Sequence, residues 1–205
     1  MNKASLVKLR VVSVRRLLFI LVVIVISSSC APFQHTVENP TRLQKQTIAK
    51  LNGTYHFRSQ FIDSLHGEGR GWRYNQNFFN ELDRKLLKDT LVLDSTGQYA
   101  FQLTMENSKR MQVNFIKDDT IFSKRSFKTK LTKDGYIKLK NKNFQVVLLP
   151  YVLGFIDVKR VRFTVDADRN LVFDVGEHRS GGAFIVMFDG RNYKYRRTYN
   201  RISDN

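Results

Sequence analysis

The chain has 205 residues, 35 Lys and Arg against 18 Asp and Glu for a formal charge of +17, and a single cysteine. One cysteine excludes an internal disulfide and a multi-thiolate zinc site, so stability has to come from buried apolar surface, which a hydrophobic content of 42% supplies. The positive excess favours anionic partners, namely phospholipid headgroups, lipopolysaccharide phosphates or acidic polysaccharide.

Arg15 and Arg16 precede ten uninterrupted apolar residues, Leu17 to Ile26. This charged-then-apolar layout is that of an export signal, and the run is too short to span a bilayer comfortably. Ser27-Ser28-Ser29 followed by Cys30 resembles a bacterial lipobox. The resemblance implies cleavage before Cys30 and acyl chains on its sulfur, which also removes an unpaired thiol from an oxidising compartment. Cleavage takes away 29 residues, including five basic and no acidic ones, and leaves 176 residues carrying +12. That length suits one domain with a substantial core. An exported chain rarely meets nucleic acid, so that partner is set aside.

Residues 30–40 show no periodicity and include Pro32 and Pro40, so they read as a tether behind the lipid. Leu43, Thr47, Ile48 and Leu51 recur at helical spacing after Thr41, a residue able to cap, which predicts a short helix or helical turn. The division is therefore 1–29 signal peptide, 30–40 acylated cysteine and tether, and 41–205 a single domain.

Leu51-Asn52-Gly53-Thr54-Tyr55-His56-Phe57 begins a strand in which Gly53 permits a tight entry and Tyr55 and Phe57 share a face. This entry resembles the Gly-x-Trp signature of lipocalins with tyrosine in place of tryptophan. The same stretch close behind a lipobox also resembles a group of uncharacterised outer-membrane lipoproteins of the Bacteroidota. The lipocalin resemblance implies a helical turn closing one end of a barrel. It also implies a basic residue near the end of the last strand, packed on the aromatic of the first. Tyr193, Tyr195, Arg197, Tyr199 and Arg201 alternate onto one face, so Arg197 is the candidate to lie over Tyr55. The alternative puts the three tyrosines in the core and the arginines at the rim.

Gly67, Gly69 and Gly71 mark an irregular loop ending at Trp72, and Phe78, Phe79, Leu82 and Leu86 at helical spacing predict a short helix. From Asp89 onward the pattern is strands and tight turns. Strands are expected over 91–94, 99–105, 111–116, 120–131, 136–140, 144–149, 160–165, 171–175, 183–188 and 193–202. The turns include Asp168-Arg169-Asn170 and Asp189-Gly190-Arg191-Asn192, and a loop covers Pro150 to Asp157. Tyr99/Phe101/Leu103/Met105 and Val161/Phe163/Val165 alternate with more polar neighbours, so one face is inside. Many short alternating strands close into barrels because closure removes exposed edges. The expected fold is therefore mainly β, an up-and-down antiparallel calycin-like barrel of eight to ten strands with one or two short helices; a two-sheet β-sandwich is the alternative.

Motifs that carry chemistry are weak. Asp166-Ala167-Asp168-Arg169-Asn170 has alternate oxygen-bearing residues, but Leu171 stands where a calcium loop needs glycine, so a hairpin turn explains it and no metal is expected. Asp63, Ser64 and His66 crowd one strand and point in different directions, which does not make a catalytic triad. With no acid/base constellation and no cofactor motif, the expectation is a protein that is not an enzyme.

Two roles fit. In one, the barrel interior holds a hydrophobic or amphiphilic anionic ligand, lined by Tyr99, Phe101, Phe163, Phe173, Phe184 and Phe188. In the other, the domain is a scaffold or interaction module of an envelope assembly. It works through a basic face, with Lys138, Lys140 and Lys142 alternating outward near Lys124, Arg125, Lys128, Lys130 and Lys133, or through the 72–86 insertion. Ala31 is not the aspartate that retains lipoproteins in the inner membrane, and Glu38 is the first acid after Cys30. The expected location is thus the periplasmic face of the outer membrane.

Overall fold

The computed structural model describes residues 38–66, 77–82, 93–140, 144–149, 153–183 and 186–204. The export signal, Cys30, the glycine loop with Trp72, Lys142 and Phe184 lie outside them. All the described residues belong to one compact unit, Ala31–Asn205.

The described residues form mainly β structure: a 3-10 turn at Ile48–Leu51, one short helix α1 (Phe78–Leu82), and eleven strands in a single antiparallel sheet. The strands are β1 (Gly53–His56), β2 (Phe61–His66), β3 (Tyr99–Asn107), β4 (Arg110–Lys117), β5 (Thr120–Leu131), β6 (Ile137–Leu139), β7 (Phe144–Leu149), β8 (Leu153–Val165), β9 (Leu171–Ala183), β10 (Val186–Tyr199) and β11 (Arg201–Ser203). Their hydrogen-bonded order is β11-β1-β3-β4-β5-β6-β8-β9-β10-β2, with β7 also on β8.

The two ends of this order are continuations of one another's neighbours. β1 pairs with β11, while β2, which follows β1, pairs with β10, which precedes β11. Between these ladders His56 N–H donates to Asn200 O at 2.9 Å and Gln60 N–H to Thr198 O at 3.0 Å.

Turn chemistry sets the register. Lys117 pairs with Thr120 across Asp118 and Asp119, which both take positive φ, 47° and 61°. That is the type I′ geometry that matches strand twist, and aspartate tolerates it. In the β8–β9 turn Arg169 has φ 65°, and Asp166 accepts from the Asn170 backbone and side chain.

Several expected boundaries move. Thr41 caps nothing helical; its carbonyl accepts from Thr164 Oγ1 at 2.5 Å, and the helical turn starts only after Thr47. Leu93 and Asp94 are not in a strand. The stretch expected as a loop before Asp157 belongs to β8 from Leu153 onward. Asp189–Asn192 is no turn: these residues pair with 178–181 in the middle of β10, after an irregularity between Met187 and Asp189. A glycine and polar residues read as a turn from sequence alone, but a long partner strand supplies their hydrogen bonds.

Alternation delivers the core. Tyr55, Phe101, Leu103, Val113, Phe115, Val161, Phe163, Phe173 and Tyr199 all point inward and are buried. α1 inserts Phe78, Phe79 and Leu82 among them, entering where Phe78 N–H donates to Phe57 O. Phe78 stacks on Phe101, with centroids 3.7 Å apart, and meets Phe173 and Tyr199 edge-on. Burying one such ring contributes about 1.5–3 kcal/mol. The described part of the expected 72–86 insertion surface, residues 77–82, is therefore an internal plug.

Candidate anion interface

Strand direction puts the turns 107–110, 132–136 and 166–170 at one end of the sheet, with residues 38–51 laid against that same end. Leu43 N–H donates to Gly135 O at 3.0 Å, Asn39 Nδ2 to Asp134 O at 2.7 Å, and Arg42 Nη2 to Lys133 O at 2.8 Å. Gly135, at φ 80°, is needed there, since a Cβ would sit 2.8 Å from Arg42 Cα. Residues 38–40, assigned from sequence to the tether, are thus already bound to the domain.

Beside this segment lies a cleft of about 700 Å³ whose cationic lining is Lys45, Lys109, Arg110, Lys128, Lys130 and Lys140. Register explains the gathering. Arg110 pairs with Lys128, Lys140 N–H donates to Lys128 O, and Lys130 pairs with Lys138, which pairs with Arg162. Like charges opposite one another on adjacent strands repel. Glu106 lies 3.8 Å from Arg110 in an exposed pair. Among the described residues Lys45, Lys109, Lys128, Lys130 and Lys140 are exposed and make no ion pair. Of the three lysines expected to form the outward patch, Lys140 lines this cleft, Lys138 is half-buried with Ile137 and Leu139 facing inward, and Lys142 lies outside the described residues.

Elsewhere charge is neutralised internally. On the outer face of β8–β10, Asp174 is held by Arg162 Nε at 3.1 Å and by Arg196 Nε at 2.7 Å; Arg162 also lies 3.9 Å over the Tyr136 ring. Inside, Glu81 of α1 accepts from Lys159 Nζ at 2.8 Å, Tyr195 Oη at 2.6 Å and Arg197 Nη2 at 3.1 Å. Sequence reasoning missed this network, because nothing local marks Glu81 as the inward partner of strands over seventy residues away.

The ring stacking expected of Arg197 is made by another residue. Arg197 is fully buried in the Glu81 network, near Tyr195, and it is Arg201 whose guanidinium lies 5.4 Å over Tyr55. Arg201 also donates to Asn52 O, Lys50 O and Tyr55 Oη. Gly53 makes room for it: a Cβ there would stand 2.6 Å from the guanidinium carbon. Tyr55 donates to Leu51 O at 2.9 Å, and burial pushes its hydroxyl up to about 12. Burial likewise raises Tyr195 and Tyr199 well above the usual tyrosine range.

The residues expected to line a ligand cavity sit differently. Phe101, Phe163 and Phe173 have no exposed surface and contact other rings, while Tyr99 is half-buried against Phe57 and Phe122. Tyr99 does border an open cleft of about 500 Å³, with His56, Arg58, Gln60, Asp94 and Asn200. Hydrogen bonds from Thr96, backbone and hydroxyl, and then from Lys117 hold the exposed Asp94 carboxyl down at about 2. No protein-family model, curated protein or solved structure matches the chain.

Proposed function

We propose that this chain is a lipid-anchored lipoprotein of the bacterial outer membrane, acylated on Cys30, whose calycin-like barrel works as a non-enzymatic interaction module that engages an anionic partner through its basic face. The observation that carries the reading is the cleft lined by Lys45, Lys109, Arg110, Lys128, Lys130 and Lys140, where five of the six cations make no ion pair among the described residues. Unlike Asp174 and Glu81 with their arginines, these charges have no internal role, and a mature charge of +12 adds a long-range attraction for anions. Support for closure into a barrel comes from the β1–β11 and β2–β10 ladders, which join the two ends of the strand order through His56 and Gln60. The Gly53–Tyr55–Arg201 arrangement beside a 3-10 turn at one end is what the lipocalin resemblance implies, with Arg201 in the basic position.

A carrier with an apolar ligand inside the sheet has less support, because Phe78, Phe101, Phe173 and Tyr199 spend their ring surfaces on each other. The test is native mass spectrometry of the acylated protein extracted gently from its own membrane, as wild type and as Lys109→Glu/Lys128→Glu/Lys140→Glu. Anionic material held by the wild type and lost from the variant is the expected result. Every association surviving the charge reversal would overturn the reading.

A further inference from the structure

We infer that the anionic partner of the basic cleft is the phospholipid surface of the membrane that carries the chain, and that the domain rests on it with the 107–110 and 128–131 end down. The inference deepens the reading just given and rests on it. Two independent observations meet at one end of the sheet. The first is charge: Lys45, Lys109, Arg110, Lys128, Lys130 and Lys140 open onto one cleft. The second is the path of the chain. Residues 38–43 are bound along the same end, through Asn39, Arg42 and Leu43 on the 132–136 turn, and Lys45, two residues beyond this segment, lines the cleft.

Cys30 lies eight residues before Glu38. Such a length spans at most about 26–29 Å when fully extended, so an acyl chain on Cys30 keeps this end within a few screening lengths of the headgroups. Phosphates are then the anions present at highest local concentration, and a lysine cluster responds to them as point charges without needing a shaped pocket. The six cations come from four separate stretches of the chain, Lys128 and Lys130 being alternate outward positions of β5, and such a spread suits several headgroups better than one bound molecule. Lipid acylation and a polybasic surface are the two signals that together fix a domain on a bilayer.

The experiment is lysine footprinting. The full acylated protein is reconstituted outward-facing in vesicles of neutral phosphatidylcholine, or of the same lipid mixed with phosphatidylglycerol, and treated with a membrane-impermeant amine reagent. The exposed Lys124, further along β5 toward the opposite end, is the internal reference. In anionic vesicles, labelling of Lys45, Lys109, Lys128, Lys130 and Lys140 relative to Lys124 falls at least about threefold. It returns in about 1 M NaCl, where the screening length is about 3 Å. Lys109→Glu/Lys128→Glu weakens the protection of the remaining three, and an unchanged melting temperature shows that the variant is folded. Equal labelling in the two lipids overturns the inference. If an acidic polypeptide from an envelope extract then protects the same lysines, the lipid assignment falls while the basic-face reading stands. If neither protects them, both fall.

Discussion

Glu81→Gln isolates the internal electrostatics of this fold. The side chain of Glu81 is 1% exposed and is the shared acceptor for Lys159, 3% exposed, and Arg197, 0% exposed. Gln keeps the volume and can still accept one hydrogen bond, so the substitution changes charge and leaves packing nearly untouched. Two buried cations are then left without their carboxylate. Removing one partner of a buried ion pair costs about 3–5 kcal/mol, because the stranded charge is too costly to keep out of water. A domain of this size loses about 2–4 °C of melting temperature per kcal/mol, so Glu81→Gln should melt roughly 6–20 °C lower, and urea unfolding should show a lower midpoint at an unchanged slope. The triple change Glu81→Met/Lys159→Met/Arg197→Met removes every charge of the cluster together and should be at least as stable as Glu81→Gln. A Glu81→Gln protein within about 1 kcal/mol of wild type would refute the reasoning, since a stranded buried charge would then cost no more than an ordinary hydrogen bond.

Alkaline pH should unfold the domain as buried tyrosines ionise. Tyr55 has a folded value of about 12 against 10.0 for the ordinary group, raised mainly by burial. A raised folded value means that the protonated hydroxyl stabilises the fold fully below pH 10, and that this contribution is lost as pH climbs through about 12. Tyr195 and Tyr199 act in the same direction. Tyrosinate absorbance should therefore rise in step with loss of ellipticity, and buried tyrosines titrating near pH 10 in a folded protein would contradict it. Arg201→Lys keeps the charge but loses the planar fork over Tyr55 and the shared hydrogen bonds to Asn52, Lys50 and Tyr55. It should cost about 2–3 kcal/mol in chemical denaturation. If Arg201→Lys were silent, the guanidinium would not be what fastens the end of the last strand to the first.

Period-two alternation and turn residues were enough to place β3, β4 and β5 and the inward sides of Phe101, Leu103 and Phe163, because in a strand the facing of each side chain follows from its position along the chain. Gly53 and Tyr55 were legible as a strand entry for the same local reason. Which arginine lies over Tyr55 was not. Arg197 and Arg201 share an alternating face, and only the offset of β11 against β1 decides that Arg201 reaches the ring while Arg197 is drawn inward to Glu81. The Asp189–Asn192 stretch looked like a turn because glycine and asparagine favour turns in isolation, but it lies within β10, along which thirteen residues of β9 pair and hold it extended. The basic cleft divides in the same way. Sequence alone put Lys138 and Lys140 on an outward face, with Lys128 and Lys130 close by in the chain; only tertiary structure brought Lys45, Lys109 and Arg110 beside Lys128, Lys130 and Lys140 and set that cluster at the end where residues 38–43 are bound. Alternation is a property of neighbouring residues, whereas the meeting of elements far apart in the chain depends on the register of every strand between them.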